Sequence, residues 1–267
     1  MSALSDVTTP IASYDHGDFP LARLQAMKQD RRISVCIAAR DEAATVGPIV
    51  ETVRRELLEG AGLVDELLVV DDRSDDATAA VAVAAGARIV PVPRVTGHDG
   101  GKGEAMRWGL AASSGEIVVF LDADVENFPV HFVTGLLGPL LLRADTMLVK
   151  GCYRRPLGMS PTGGGRVTEL VARPMLSLLF PELSGVVQPL AGEVGVRRAA
   201  LDGIELADGY GVELGMLIDI SRRFGARSIA QVDLDVRTHR NRPLHELAPQ
   251  ARDVLDVALR RAGVEAR

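Results

Sequence analysis

The chain alternates short apolar runs with segments of helical periodicity. Four runs rich in aliphatic residues predict buried strands, at residues 33–38, 66–70, 87–92 and 116–120. Amphipathic or alanine-rich segments separate these runs and predict helices, at residues 46–57, 77–85 and 104–112. Because strands and helices alternate, the pattern predicts an α/β fold with a mostly parallel sheet and right-handed crossovers.

The patterns outside this central region are weaker. Residues 10–18 are polar and lack periodicity, which predicts a loose arm before a short helix at residues 21–29. Residues 167–180 carry a broad apolar stripe that predicts a helix packed in the core or, alternatively, at a dimer interface. Residues 244–262 have the spacing of an amphipathic helix.

Composition limits the class of protein. With 267 residues, 47% of them hydrophobic, the chain can bury a large core, and a net charge of −6 argues against nonspecific nucleic-acid binding. Cys36 and Cys152 are too few for a disulfide framework, and we expect buried thiols in a reducing cytoplasm. The start of the chain lacks a signal-peptide pattern, and the longest apolar stretch is too short to span a bilayer, so we expect no membrane association.

Two carboxylates end the fourth predicted strand, in the sequence Phe-Leu-Asp-Ala-Asp. Alternate side chains of an extended chain share a face, so Asp122 and Asp124 can point at one hard cation that carries phosphate oxygens. The alternative is a solvated loop or a calcium-binding turn, where Asp-x-Asp also occurs. Position favours the cation site, because open parallel sheets bind ligands at the carboxyl edge of their strands. The pattern is typical of an enzyme that uses a nucleotide sugar.

Further polar residues are predicted at the same edge. The carboxylate of Asp72 can accept a hydrogen bond from the imide N–H of uracil, or from the N1–H and amino groups of guanine. Lys102 can neutralise a diphosphate within its glycine-rich segment, or it is an exposed loop lysine. Four acids have the alternative role of capping the helices that follow them: Asp41, Glu42, Asp75 and Asp76. No G-x-G-x-x-G sequence follows the first strand, which disfavours a nicotinamide enzyme.

Longer motifs carry a more specific resemblance. In chain order they are ISVCIAARDEAAT, ELLVVDDRSDDAT, GKGEA, VVFLDAD, LVKGCYRRP, GGGRVTELVARP, QPLAGE, GYGVELGMLID and IAQVDLDVRTHRNRP. From about residue 33 to residue 247 the chain resembles the glucosyl-3-phosphoglycerate synthase family of retaining glycosyltransferases, with its mannosyl-3-phosphoglycerate relatives. The resemblance implies a GT-A-type nucleotide-sugar-binding fold, with a smaller acceptor-binding subdomain, and a homodimer. It divides the chain into an N-terminal arm and short helix (1–32), a nucleotide-sugar-binding half (33–150) and an acceptor-binding half with a C-terminal helix (151–267).

The resemblance also implies a metal site and an acceptor site. Asp124 and His239 would hold Mg²⁺ or Mn²⁺, and Mn²⁺ accepts an imidazole more readily. The alternative for His239 is a structural histidine. A glycine-rich turn that enters a helix beside a guanidinium forms an anion seat, although Arg166 could instead anchor its loop to Glu169 or Glu193. The implied acceptor residues, which would hold 3-phosphoglycerate, are Gly165, Arg166, Val167, Thr168 and Asn241.

The donor site and the catalytic groups follow from the same resemblance. The implied nucleotide-sugar-binding residues are Ala38, Ala39, Arg40, Glu42, Asp72, Lys102, Asp122, Ala123, Gly192, Glu193 and Tyr210. The catalytic residues would be Glu213, Asp124 and Arg166. Near the positive end of an apolar helix, Glu213 can accept hydrogen bonds from sugar hydroxyls, or it is simply a first-turn helix acid.

The chain departs from the family pattern at the nucleotide edge. Residues 38–42 read Ala-Ala-Arg-Asp-Glu where Pro-Ala-Leu-Asn-Glu is common, and Asp71-Asp72 replaces Asp-Ser, so both UDP-glucose and a GDP-sugar stay open as donors. Our leading hypothesis is a metal-dependent retaining transfer of a hexose from the nucleotide sugar to 3-phosphoglycerate. One alternative changes the acceptor to another carboxylate-bearing metabolite, including a thiol, and another is a noncatalytic nucleotide-sugar sensor. A nucleotidyltransferase is disfavoured, because its glycine-rich loop would follow the first strand.

Overall fold

The computed structural model describes residues 11–96, 99–157, 160–163, 165–238 and 243–264. Within them the chain forms ten strands: β1 (Ala12–Asp15), β2 (Ile33–Ala39), β3 (Glu66–Asp71), β4 (Arg88–Pro91), β5 (Ile117–Asp122), β6 (Leu148–Arg154), β7 (Pro156–Leu157), β8 (Ser160–Gly163), β9 (Val194–Arg197) and β10 (Ile229–Val236). The α-helices are α1 (Leu21–Lys28), α2 (Val46–Val53), α3 (Thr78–Ala85), α4 (Gly101–Ala112), α5 (His131–Leu142), α6 (Arg173–Leu179), α7 (Val212–Phe224) and α8 (Leu247–Arg261).

Shorter helical turns complete the structure. Two π-helical segments join α-helices: Arg54–Gly60 continues α2, and Thr168–Ala172 leads into α6. The 3₁₀ turns are His16–Asp18, Pro181–Leu183, Arg198–Ala200, Gly209–Gly211, Ala226–Ser228 and Leu244–Glu246.

Eight strands form one sheet, in the order β1-β10-β6-β9-β5-β2-β3-β4, while β7 and β8 form a separate hairpin. The central strand β9 runs antiparallel to β5 and β6, and the other pairs in the sheet are parallel. The carboxyl ends of β2, β3, β5, β6 and β10 therefore meet at one edge. The predicted α/β fold with a mostly parallel sheet is confirmed.

Apolar side chains fill both faces of the sheet. Val35 and Ile37 of β2 belong to one buried cluster, with α2 and α5, whereas Cys36 between them belongs to the other, with α4, α7 and α8. Successive strand residues point to opposite faces, so a strand covered on both sides needs an uninterrupted apolar run. This requirement explains why β2, β3 and β5 were readable from the sequence.

The expectation of a loose N-terminal arm is wrong for residues 12–15. They form β1, which pairs in parallel with β10 at the edge of the sheet, from Ala12 opposite Ala230 to Asp15 opposite Asp233. An edge strand is covered less than a central one, and its side chains here alternate between half-buried and exposed. The apolar run that marks a central strand is therefore missing from this segment.

The apolar stripe predicted over residues 167–180 has two environments. Leu176 is buried in the core, whereas Leu170 and Leu178 are 73% and 76% exposed. Core packing is thus confirmed for part of the stripe, and the dimer interface stays a prediction for the rest. Among the described helices, none combines the length and apolarity needed to cross a membrane.

Candidate active site

A cavity of about 680 Å³ opens at the carboxyl edge of the sheet. Its volume lies in the range usual for small-molecule sites, about 300–1,000 Å³. Predicted donor and acceptor residues share its wall: Ala38, Ala39, Arg40, Glu42, Asp72, Lys102, Asp122, Ala123, Asp124, Gly165, Arg166, Val167, Thr168, Tyr210 and Glu213. One cavity therefore joins the two sites that the sequence predicted separately.

Lys102 links the two sides of the cavity floor. It lies in the first turn of α4, and its Nζ is 2.5 Å from Asp122 Oδ1 and 2.5 Å from Glu213 Oε1. Burial opposes its charge, but the two carboxylates outweigh that effect and raise the pKa of Lys102. The alternative of an exposed loop lysine is wrong, since the side chain is only 15% exposed.

Arg237 joins the two aspartates that end β5. Its Nη2 lies 2.9 Å from Asp122 Oδ2 and 2.5 Å from Asp124 Oδ1, and its Nη1 donates a hydrogen bond to the Tyr153 hydroxyl at 3.2 Å. The two carboxylates thus converge on one atom, as their alternation along the chain requires. Burial raises the pKa of the Asp122 carboxyl, but Lys102 and Arg237 outweigh burial and lower it overall.

Gly192 and Glu193 lie in a layer beneath the cavity wall. A Cβ on Gly192 would be 2.2 Å from Asp122 Oδ2, so only glycine fits behind this carboxylate. Glu193 is fully buried and accepts a hydrogen bond from the Tyr153 hydroxyl at 2.5 Å. The sequence predicted direct sugar contacts for both residues, but neither lines the cavity. Their position makes them supports of Asp122 and Arg237.

A second charged cluster occupies the predicted base and ribose end. Arg73 Nη1 donates to Asp72 Oδ1 at 2.6 Å, and Arg40 Nη1 lies 3.8 Å from Asp72 Oδ2. Burial raises the pKa of Asp72, with Arg73 and Arg40 opposing it. Arg73 has a φ of 61°, a left-handed backbone that is uncommon for a bulky residue. Its side chain also donates to Glu104 at 2.5 Å, which helps to fix this conformation.

The capping alternative is correct for Asp76. Its Oδ1 accepts a hydrogen bond from the backbone N–H of Thr78, the first residue of α3, at 2.8 Å. Asp75 is exposed, and Arg94 donates to it at 2.6 Å. Asp41 Oδ1 accepts from the backbone N–H of Asp75 at 2.7 Å, which joins the loops after β2 and β3.

The predicted acceptor end is a turn that enters a helix. Gly165 has a φ of 73°, and Arg166 and Val167 lie half-buried on the cavity wall next to the buried Thr168. Arg155 also lines the wall, and its Nη2 donates to the Tyr153 hydroxyl at 2.8 Å. Guanidinium groups around a glycine-rich turn suit a small anion. Asn241 lies outside the described residues.

The carboxylates fit a hard divalent cation. Asp124 lines the cavity with its side chain 32% exposed, and Mg²⁺ commonly binds to one or two carboxylates together with substrate phosphates. The predicted partner His239 lies outside the described residues. In the described part of the chain, no three His, Cys, Asp or Glu side chains are grouped as ligands of one metal ion.

Comparison with known proteins assigns this chain to a family. The family model for Glycosyl transferase family 2 matches residues 34–153. The glucosyl-3-phosphoglycerate synthase of Mycolicibacterium smegmatis is 48% identical over 260 residues, which cover 94% of this chain and 84% of that protein. The chain belongs to the glucosyl-3-phosphoglycerate synthase family. It is a glycosyltransferase, as predicted. The synthase of Petrotoga mobilis is 42% identical over 260 residues, 93% of this chain and 80% of that protein.

Solved structures of the family agree with this fold. A crystal structure of the Mycobacterium tuberculosis synthase in complex with Mn²⁺, UDP-glucose and phosphoglyceric acid matches with a TM-score of 0.88 and 45% identity, over 96% of this chain and 89% of that one. Another, in complex with Mg²⁺ and UDP, matches with a TM-score of 0.86 and 44% identity, over 96% of this chain and 88% of that one. Both metals predicted for this chain thus occur in homologous structures.

Several wall residues were missed by the sequence reasoning. Arg237 stands two positions before His239 in a motif already noted, and a charged residue directly after a strand was a usable signal. Arg155 follows β6 in the same way. Helix α8 supplies a further part of the wall, for which the sequence held no local signal: Leu247, Gln250, Asp253 and Val254. Asp253 Oδ2 accepts from the backbone N–H of Tyr210 at 3.1 Å, which ties the C-terminal helix to the donor side.

Proposed function

We propose that this enzyme transfers glucose from UDP-glucose to 3-phosphoglycerate with retention of the anomeric configuration. The observation that carries the proposal is one cavity whose wall carries carboxylates and Lys102 together with two arginines, Arg155 and Arg166. The glucosyl-3-phosphoglycerate synthases that are 48% identical to this chain support it, as does a homologous structure with Mn²⁺, UDP-glucose and phosphoglyceric acid.

The donor side holds the diphosphate and the sugar. Asp124, with His239, would hold the divalent ion, and the ion would neutralise charge on the departing nucleotide diphosphate. Lys102 supplies a fixed positive charge beside the same groups, since its Nζ is already oriented by Asp122 and Glu213. Glu213, 3% exposed at the start of α7, accepts hydrogen bonds from sugar hydroxyls.

The acceptor side holds a phosphate and a carboxylate. Arg166 and Arg155 offer planar donors that suit both anions, and Thr168 adds a hydroxyl at the same turn. The family resemblance assigns no residue of this chain the role of a nucleophile. We therefore assign a same-face attack in which the leaving phosphate accepts the proton of the acceptor hydroxyl, while the protein supplies positioning and electrostatic stabilisation.

The reaction is tested with purified protein, Mn²⁺ or Mg²⁺, 3-phosphoglycerate and either UDP-glucose or a GDP-sugar. We expect an α-linked glucosyl product, detected by NMR spectroscopy, and no product when the metal is chelated. Arg40 and Asp72 differ from the family pattern in the region predicted to bind the nucleotide base. The assay with a GDP-sugar therefore measures the base preference of the enzyme directly. Absence of product with every donor would refute the proposal, and turnover only with another carboxylate acceptor would replace the acceptor.

Arg166→Met is the test of the acceptor seat. Losing hydrogen bonds to a charged group costs about 1.5–3 kcal/mol, so the KM for 3-phosphoglycerate should rise about 10- to 100-fold. The KM for the donor should change little. Arg173→Met is the matched control, because Arg173 is an exposed arginine on the following helix whose Nη1 is 3.4 Å from Glu169. Equal effects of the two variants would remove Arg166 from the acceptor site.

We also propose that the protein is a cytoplasmic homodimer. Within each chain, the nucleotide-sugar-binding half and the acceptor-binding half would divide near residue 150. The exposed Leu170 and Leu178 support the dimer. Both halves contribute strands to one sheet, so the division concerns ligand binding and not independent folding. Light scattering on the purified protein measures the mass of the assembly. The double variant Leu170→Glu, Leu178→Glu should have the mass of a monomer, and a mass equal to that of the wild-type dimer would show that the interface lies elsewhere.

A further inference from the structure

Lys150 is a lysine at the centre of the sheet, buried beneath the floor of the cavity. It lies on β6, is 1% exposed, and donates a hydrogen bond through Nζ to the carbonyl oxygen of Ala191 at 2.5 Å. Burial lowers the pKa of Lys150 to about 7, the direction expected for an ammonium group withdrawn from water. If packing were its only role, an apolar side chain would fill the position at a lower desolvation cost.

The accepting carbonyl belongs to the turn of residues 191–193, which touches the carboxylate of Asp122. The Cα of Gly192 rests against Asp122, since a Cβ there would be 2.2 Å from Oδ2. Glu193 Oε1 is 3.4 Å from Nε of Arg237, the guanidinium that joins Asp122 to Asp124. A displacement of the turn would therefore move the carboxylate of Asp122 directly, and both carboxylates through Arg237.

The sheet holds this turn at its two ends. At the C-terminal end, the backbone N–H of Gly151 donates to the carbonyl of Glu193 at 2.9 Å. At the N-terminal end, Lys150 reaches the carbonyl of Ala191 from the adjacent position on the same strand. The side chain thus extends the rigid hydrogen bonding of the sheet beyond the start of β9.

We propose that Lys150 is a positioning residue for glucosyl transfer: by binding the Ala191 carbonyl, it fixes the turn that orients Asp122 and Arg237 toward the donor. Only the kinetic test of this proposal depends on the proposed function. Lys150 itself does not line the cavity, and it acts through the turn.

The test compares Lys150→Met, which keeps the length and packing of the side chain but cannot donate, with the wild type. Loss of a supporting hydrogen bond behind a metal or catalytic ligand typically costs about 10–100-fold in activity or metal affinity. We expect kcat to fall in this range, while the melting temperature is unchanged or higher and the KM for 3-phosphoglycerate is nearly constant. Calorimetry should show weaker UDP binding in the presence of Mn²⁺, with metal-free UDP binding unchanged.

Lys28→Met is the matched control. Nζ of Lys28 also donates to a backbone carbonyl, that of Gly62 at 2.8 Å, but it lies on α1 away from the cavity wall. This variant should keep the wild-type kcat and UDP affinity. Lys150→Gln, which leaves a shorter polar side chain in the buried site, is measured alongside and should show the same losses as Lys150→Met.

Two results would overturn the proposal. The first is a Lys150→Met enzyme with wild-type kcat and wild-type Mn²⁺-dependent UDP binding. The second is a loss of kcat that follows a fall in melting temperature across both Lys150 variants, which would show a purely structural role. If the wild type transfers no sugar, the proposed function fails, and the UDP-binding comparison still decides the role of Lys150.

Discussion

Replacing Arg237 with methionine removes the cation that holds the aspartates of the active site. One contact of unit charges at the 2.9 Å between Arg237 Nη2 and Asp122 Oδ2 is worth about 6 kcal/mol at an effective dielectric constant of about 20, before desolvation is subtracted. Removing one partner of a buried pair leaves uncompensated charge and typically costs about 3–5 kcal/mol. Because the guanidinium also serves Asp124 and Glu193, we expect the free energy of unfolding to fall by an amount within this range at about pH 7.

The sign of the pH dependence follows from Asp122. Burial raises its pKa, but Lys102 and Arg237 outweigh burial and lower it below the unfolded value, which is about 3.9 for aspartate. A carboxyl with a lowered pKa contributes stability above the unfolded pKa and loses it as the pH falls through the folded pKa. Without Arg237 part of that contribution is missing, so the deficit of the variant is largest above about pH 5 and shrinks on acidification.

Urea unfolding at neutral and acidic pH measures both quantities. The control is Arg143→Met, which removes an exposed pair with Asp145, 2.7 Å apart, and should cost less than about 1 kcal/mol. The reasoning is refuted if Arg237→Met is no less stable than this control, or if its deficit grows as the pH falls. A variant that keeps wild-type turnover would also contradict the role of Arg237 in holding the carboxylates of the cavity wall.

A substitution and a labelling experiment test other parts of the structure. Gly192→Ala would place a Cβ 2.2 Å from Asp122 Oδ2, so kcat should fall at least about 100-fold while the fold is kept. The control is Gly185→Ala, whose Cβ would have its nearest contact at 3.4 Å and should leave kcat nearly unchanged. Equal kcat values for the two variants would contradict the contact between Gly192 and Asp122. The thiols of Cys36 and Cys152 have pKa values raised to about 12 and about 11, chiefly by burial, so little thiolate exists at about pH 8. The buried Cys36 should react with an aromatic disulfide reagent only as fast as the protein opens, whereas the half-buried Cys152 should react more slowly than a free thiol. Rapid labelling of Cys36 in the native enzyme would contradict its burial.

Strands β2, β3 and β5 could be predicted because they are covered on both sides of the sheet. That burial leaves apolar runs such as those of β2 and β5, and each predicted strand lies within about two residues of its observed limits. Strand β1, at one edge of the sheet, was missed because its side chains alternate between half-buried and exposed and leave no such run, although β4 at the other edge was predicted. The common edge of the parallel strands then brought Asp72, Lys102 and Asp122 to one cavity, as the topology rule predicts.

The residues that support the site were harder to predict, because local sequence shows which groups are polar but not which groups lie behind them. Lys150 nevertheless left a signal. It interrupts the apolar strand Leu148–Arg154, and lysine is almost never fully buried unless it is paired. Gly192 left no local signal and was singled out only by the family resemblance, since its need to be glycine comes from Asp122, 70 residues earlier in the sequence. An ionisable residue within a predicted central strand is therefore evidence of a supporting charge network, whereas a glycine required by a distant carboxylate becomes visible only in the structure.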